Sequence, residues 1–127
     1  MSKEEIANHK WNHNKISYSS KEFLKTLNKE KLIEINNKKI YMVHFPINKE
    51  KKYHLINIDY KEKLKGIDAD IFLFGHTHKP LIDYNGKYYI NPGSLGCPKN
   101  VNKALAGILS LDNGYYLFLK KKNFVSQ

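Results

Sequence analysis

Four consecutive apolar residues, Ile71-Phe72-Leu73-Phe74, stop abruptly at Gly75, and His76-Thr77-His78-Lys79-Pro80 follows at once. A run apolar at every position reads as a buried strand. Where such a strand stops, its end offers two imidazoles two residues apart. Alternate residues of extended backbone point the same way, and neutral imidazole suits Zn, Mn, Fe, Co or Ni. The pattern therefore predicts a metal rim at the end of a buried strand, and Ile90-Asn91-Pro92-Gly93-Ser94 answers it at short range. Pro and Gly fix a turn there and Ser can cap it, so this second motif reads as structural.

Other elements alternate around that strand. Ser2 with Glu5 and Ser19 with Glu22 have capping-box spacing, which predicts helices near 3–12 and 20–28, the second with Phe23, Leu24 and Leu27 on one face. Residues 32–35 and 40–43 flank Asn36-Asn37-Lys38-Lys39 and predict a hairpin. The second of these strands runs into His44, and Pro46 ends the pairing because it lacks an amide proton. A polar loop over 47–57 and a short helix near 58–65, ending at Gly66 as its C′ residue, lead to a strand at 70–74. Asn85-Gly86 joins strands near 81–84 and 87–90, and Asp112-Asn113-Gly114 joins strands near 104–111 and 115–122. The expected class is α+β, mostly antiparallel, with short flanking helices and a frayed tail after Phe124.

Length and charge bound the rest. A chain of 127 residues fits a single domain, 1–127, that buries a core without disulfides or a structural metal. Lys and Arg total 22 against 12 Asp and Glu, a net charge of +10. The lysines are spread along the whole chain with no basic arm, which favours a solvated surface over a dedicated nucleic-acid face. Cys97 is the one cysteine, so there is no internal disulfide, as expected of a reducing compartment, and it reads as an ordinary loop thiol. No apolar run nears the roughly 18 residues of a membrane span, and the chain reads as cytoplasmic and soluble. His9, His13 and His54 lie in polar surroundings and read as surface residues.

The motifs Gly75-His76-Thr77-His78-Lys79-Pro80 and Ile90-Asn91-Pro92-Gly93-Ser94 resemble those of the calcineurin-like metallophosphoesterases, in their small bacterial and archaeal phosphodiesterase branch. Met42-Val43-His44 resembles that family's strand-end histidine motif, and Trp11, Ile16-Ser17 and Phe23-Leu24 resemble the helical stretch before it. The resemblance implies the C-terminal part of an αββα sandwich that holds two divalent metals at strand ends. It also implies hydrolysis of phosphodiesters or phosphomonoesters by a metal-bound hydroxide. Carried over, His44 and His76 would ligate one metal and His78 the other. The metals implied are Mn, or Ni, Fe or Zn.

The family's opening motifs, D-x-H, G-D with its bridging Asp, and G-N-H-D, do not occur in this chain. Ala7-Asn8-His9-Lys10 resembles the last of them but lacks both Gly and Asp and lies in a helical pattern. Phe45-Pro46 stands where a Gly commonly follows the family's histidine. Two divalent ions about 3.5 Å apart repel by roughly 19 kcal/mol at an effective dielectric constant of about 20, and three neutral imidazoles bring no charge against that. Asp68 and Asp70 sit at the start of the Ile71 strand, too far from the histidines to substitute. The expectation is an incomplete site: at most one weakly held metal, little hydrolysis by this chain alone, and a dinuclear centre only if the missing ligands are supplied.

Apolar sheet surface left open would then be covered by a second copy or by a separately encoded N-terminal half. Two further classes compete with the phosphoesterase. One is a non-catalytic metallophosphoesterase-like interaction module, and the other is a nucleic-acid binder using the +10 charge. Cyclic dinucleotides, nucleotides, phosphoproteins and phospholipid headgroups all suit so basic a rim.

Overall fold

A computed structural model of the chain describes residues 3–44, 59–97, 99 and 104–111, and the backbone of 116–121. The loop at 47–57, the turn at 112–114, Pro46, His54 and the tail lie outside the described residues.

Two helices come first, α1 (Lys3–Lys15) and α2 (Tyr18–Thr26), and neither buries a residue. The second starts earlier than Ser19 and Glu22 suggest. Ser17 takes the cap, its side-chain oxygen accepting the Ser20 amide, which draws Ser19 into the first turn. Phe23, Leu24 and Leu27 stay at least half exposed.

The main sheet has the order β1-β2-β3-β5-β4. Strands β1 (Glu30–Ile35) and β2 (Lys38–Val43) form the expected hairpin, with Asn36 and Asn37 both at positive φ, 50° and 60°. That pair of left-handed residues makes a type I′ connection, which Asn tolerates better than most side chains. Strand β3 (Ile71–Phe74) lies parallel to β2, and β5 (Tyr88–Pro92) lies parallel to β3. Strand β4 (Pro80–Tyr84) closes the far edge antiparallel to β5. Two of the sheet's four pairings, at the edges, are antiparallel, and the two in the middle are parallel, more than the mostly antiparallel expectation allowed. A parallel neighbour needs a crossover, and the connection from β2 to β3 carries α3 (Tyr60–Lys63), capped by Asp59.

Alternation along the strands divides the core. Tyr41, Val43, Phe72 and Phe74 face one side and pack with Leu64 and Ala69 beside α3. Ile40, Ile71 and Ile90 face the other side, where Leu109 and Leu111 pack on them from the second sheet. That sheet pairs β6 (Leu105–Ser110) with β7 (Tyr116–Lys121), antiparallel. The result is the mixed α and β sandwich the sequence predicts. Among the described residues no helix is long and apolar enough to cross a membrane.

Tyr41 is 8% exposed and donates to Glu30 on the neighbouring strand. Burial first, and then this hydrogen bond, push its phenol up to about 12. The folded chain thus keeps a proton that the unfolded chain loses near pH 10. Stability should be unaffected by this group below that pH and fall as pH rises toward 12. Urea unfolding across this range should show a shallower decline for Tyr41→Phe than for the native chain, and identical slopes would contradict it.

Candidate metal centre

Parallel strands send their carboxyl ends to one edge, and in open sheets of this kind that edge is where ligands bind. Here it collects His44 after β2, Gly75 to Lys79 after β3, and Asn91 to Ser94 at the end of β5. Asp68 and Asp70 lie at the opposite end, where Asp70 accepts the Lys39 amide at 2.8 Å and Asp68 pairs with the Lys39 ammonium. That placement agrees with the expectation that neither can serve the histidines.

His44 and His76 come together edge to face, ring centroids 6.0 Å apart at 89°. Backbone brings them there, for the Gly75 amide donates to the His44 carbonyl at 3.0 Å. A Cβ on Gly75 would lie 3.0 Å from Nδ1 of His44 and 3.4 Å from its carbonyl oxygen, so the glycine lets the two strand ends close. We expect Gly75→Ala to displace the His44 ring and weaken Mn²⁺ binding about tenfold or more. Calorimetric titration checks this, and an unchanged affinity would show that the ring's position is unimportant.

His78 does not join that pair in one cluster. Among the described residues no group of three or more His, Cys, Asp or Glu converges on a point. Its Nδ1 is nevertheless buried without a hydrogen-bond partner. An unsatisfied buried ring nitrogen is costly, and ligation is one way of satisfying it. The donors fit the imidazole share of a divalent-metal site, two in contact and a third close by in sequence, without the carboxylate that would let two ions lie together.

The loop carrying these rings is unusual in its backbone. His76 and His78 both adopt left-handed φ, 67° and 59°. Two such non-glycine residues in one short loop mark stored strain of the kind found at functional sites. Under the loop lies Asn91, which is fully buried. Its Nδ2 donates to the Gly75 carbonyl at 2.8 Å and to Thr77 Oγ1 at 3.0 Å, and its Oδ1 accepts the Gly93 amide at 2.9 Å. Gly93 turns at φ 88° against Leu105 and Pro80, and Ser94 Oγ accepts the Cys97 amide. The turn role read from Asn-Pro-Gly-Ser is thus present. Its grip on the histidine loop was not foreseen, although a polar residue inside an otherwise apolar strand, Ile90-Asn91, was a signal for it.

On the flank of the same edge a cavity of about 400 Å³ opens, lined by residues that include Met42, His44, Leu73, Gly75 and Pro92. His9 and His13 lie well apart in sequence, on α1, beside a groove against α2.

A parallel-centred sandwich with histidines at its carboxyl edge fits a metallophosphoesterase-type protein. The model of the calcineurin-like phosphoesterase superfamily domain matches residues 9–114, and the chain belongs to that family. The phosphodiesterase YfcE of Escherichia coli K12 is 34% identical over 59 residues, covering 46% of this chain and 32% of YfcE. A conserved uncharacterized protein from Streptococcus pneumoniae TIGR4, described as a predicted phosphoesterase, superposes with a TM-score of 0.57 at 24% identity, covering 73% of this chain and 53% of that one. A hypothetical protein from Pyrococcus horikoshii OT3 gives a TM-score of 0.60 at 17% identity, covering 87% and 47%. The chain therefore spans between about a third and about half of the length of these relatives.

Proposed function

We propose that residues 1–127 form one domain-sized portion of a metal-dependent phosphoesterase, acting on a phosphodiester or phosphomonoester. The observation that carries this reading is the paired His44 and His76 rings at the carboxyl edge of the parallel strands, in a chain of the phosphoesterase family. His44 and His76 would hold one divalent ion and His78 would reach a second. Such ions supply Lewis-acid polarisation of the phosphoryl group and activation of water. The protein's part is to fix the imidazoles, through the Gly75 contact and the Asn91 hydrogen bonds, and to shape the cavity beside them. Mn is the metal we propose to try first, with Ni, Fe and Zn as the other borderline ions that imidazole accepts.

The reading includes incompleteness. The described residues bring no bridging carboxylate to the histidines, which would then hold at most one ion weakly, and acidic donors from outside the described residues, whether of this chain, a second copy or a separate partner, would complete the site. Exposed apolar residues support a covered surface, among them Leu32 and Ile35 on β1, Ile82 and Tyr84 on β4, and Trp11 and Phe23 on the helices. The same exposure favours the second reading, a non-catalytic interaction module. Titration with Mn²⁺ separates the two: the phosphoesterase reading expects one weak site that His76→Ala removes, and binding indifferent to that substitution would sink it.

A further inference from the structure

We propose that Asn91 is the positioning residue of the histidine loop. Strand β5 lies between β3 and β4, so the chain leaving β3 must cross over the carboxyl end of β5 to start β4. Asn91 stands at that end, at 0% exposure, and meets the crossing loop from below. It spends both amide hydrogens on the loop, one on the Gly75 carbonyl and one on Thr77 Oγ1, while its oxygen holds the Gly93 amide. These anchors flank His76 on both sides. Thr77 Oγ1 in turn accepts the Lys79 amide at 3.3 Å, which brackets His78.

The residues between the anchors are the two in left-handed backbone. An L-residue resists that region because its Cβ crowds the following carbonyl. Left to itself, a Thr-flanked His would leave it, so something must hold the conformation in place. Backbone bonds share the task, the Thr77 amide donating to the Gly75 carbonyl at 2.8 Å and the Lys99 amide to the His78 carbonyl at 3.0 Å; the amide of Asn91 adds the side-chain restraint from β5, and together they fix where the two imidazoles project. Asn suits the task because it both donates twice and accepts, which neither Asp nor Leu of similar size can do. The inference rests on the proposed metal-ligand role of the histidines for its affinity readout, but not for its conformational one.

The test compares Gly and Ala at position 76, both of which remove the ring, in three backgrounds: native, Asn91→Ala and Thr77→Val. All melting is done in EDTA. Where the loop is held left-handed, Gly should melt higher than Ala by about 2–5 °C. Where the restraint is lost, the loop relaxes and Ala should equal or exceed Gly, since glycine then only adds freedom to the unfolded chain. Thr77→Val removes one anchor without touching the buried asparagine, and it decides the matter if Asn91→Ala does not fold. A Gly advantage that persists undiminished in both backgrounds overturns the proposal.

With His76 intact, Asn91→Ala, or Thr77→Val in its place, should weaken Mn²⁺ binding about 10–100-fold, and undiminished affinity would likewise count against positioning. A native chain that takes up no Mn²⁺ at all defeats the ligand reading alone, and the metal-free comparison still decides whether Asn91 holds the loop.

Discussion

Assayed as the 127-residue chain in Mn²⁺, the protein should hydrolyse an aryl phosphodiester at a rate at least about 10²–10³-fold below that of a completed site. The reason is electrostatic. Two divalent ions placed about 3.5 Å apart repel by roughly 19 kcal/mol at an effective dielectric constant of about 20, and a family member offsets this with a carboxylate between them. The described residues bring imidazoles to the edge and keep Asp68 and Asp70 at the far end of the sheet, engaged with Lys39. Adding a polypeptide that carries the D-x-H, G-D and G-N-H-D motifs should restore turnover, and His76→Ala should abolish it again. Turnover by the isolated chain matching that of the supplemented one would refute the incompleteness, and turnover retained by His76→Ala would refute the site.

The second large effect concerns the core. Phe72 is 1% exposed in the middle strand, stacked on Tyr89 at 5.0 Å and 7° and edge-on to Tyr41 at 6.1 Å. Phe72→Ala should cost about 3–5 kcal/mol, combining lost transfer energy with a cavity that neighbouring rings cannot fill. That is a large share of the roughly 5–15 kcal/mol available to a domain, so the variant should be largely unfolded at modest urea where the native chain is not. Phe72→Leu keeps most of the volume and should cost less. Equal midpoints for the native chain and Phe72→Ala would mean that this strand is not the centre of the fold.

Much of this was legible in the residues. The unbroken apolar run at 71–74 marked a buried strand, and Asn36-Asn37-Lys38-Lys39 and Asn85-Gly86 marked two hairpins that exist, the first with a tighter turn because Lys38 and Lys39 already pair in β2. The parallel centre was harder to foresee, because β5 enters between β3 and β4, and no local pattern records which strand a chain will insert beside. For the site, the apolar runs before His44 and His76 indicated that both lie at strand ends. Spacing on extended backbone did not indicate that His76 and His78 would both turn left-handed, in a loop whose hydrogen bonds include the local Thr77–Gly75 backbone bond and contacts from Asn91, 14 to 16 positions away. Ser17, rather than Ser19, capped α2 for a similar reason: several serines in a row offer equivalent oxygens, and backbone geometry chooses among them.

The slot that β5 fills also makes one strand a condition for the site. A chain that has formed the β1–β2 hairpin and docked β3 has both of its paired histidines, yet it has nothing beneath the loop that must carry one of them. Only when residues 88–92 insert between their neighbours does the loop acquire its floor. That insertion closes a longer stretch of chain than either hairpin, though a shorter one than the pairing of β2 with β3. The histidine loop thus has its floor only where β5 lies between its neighbours, and a divalent ion captured there would report that the strand order is complete.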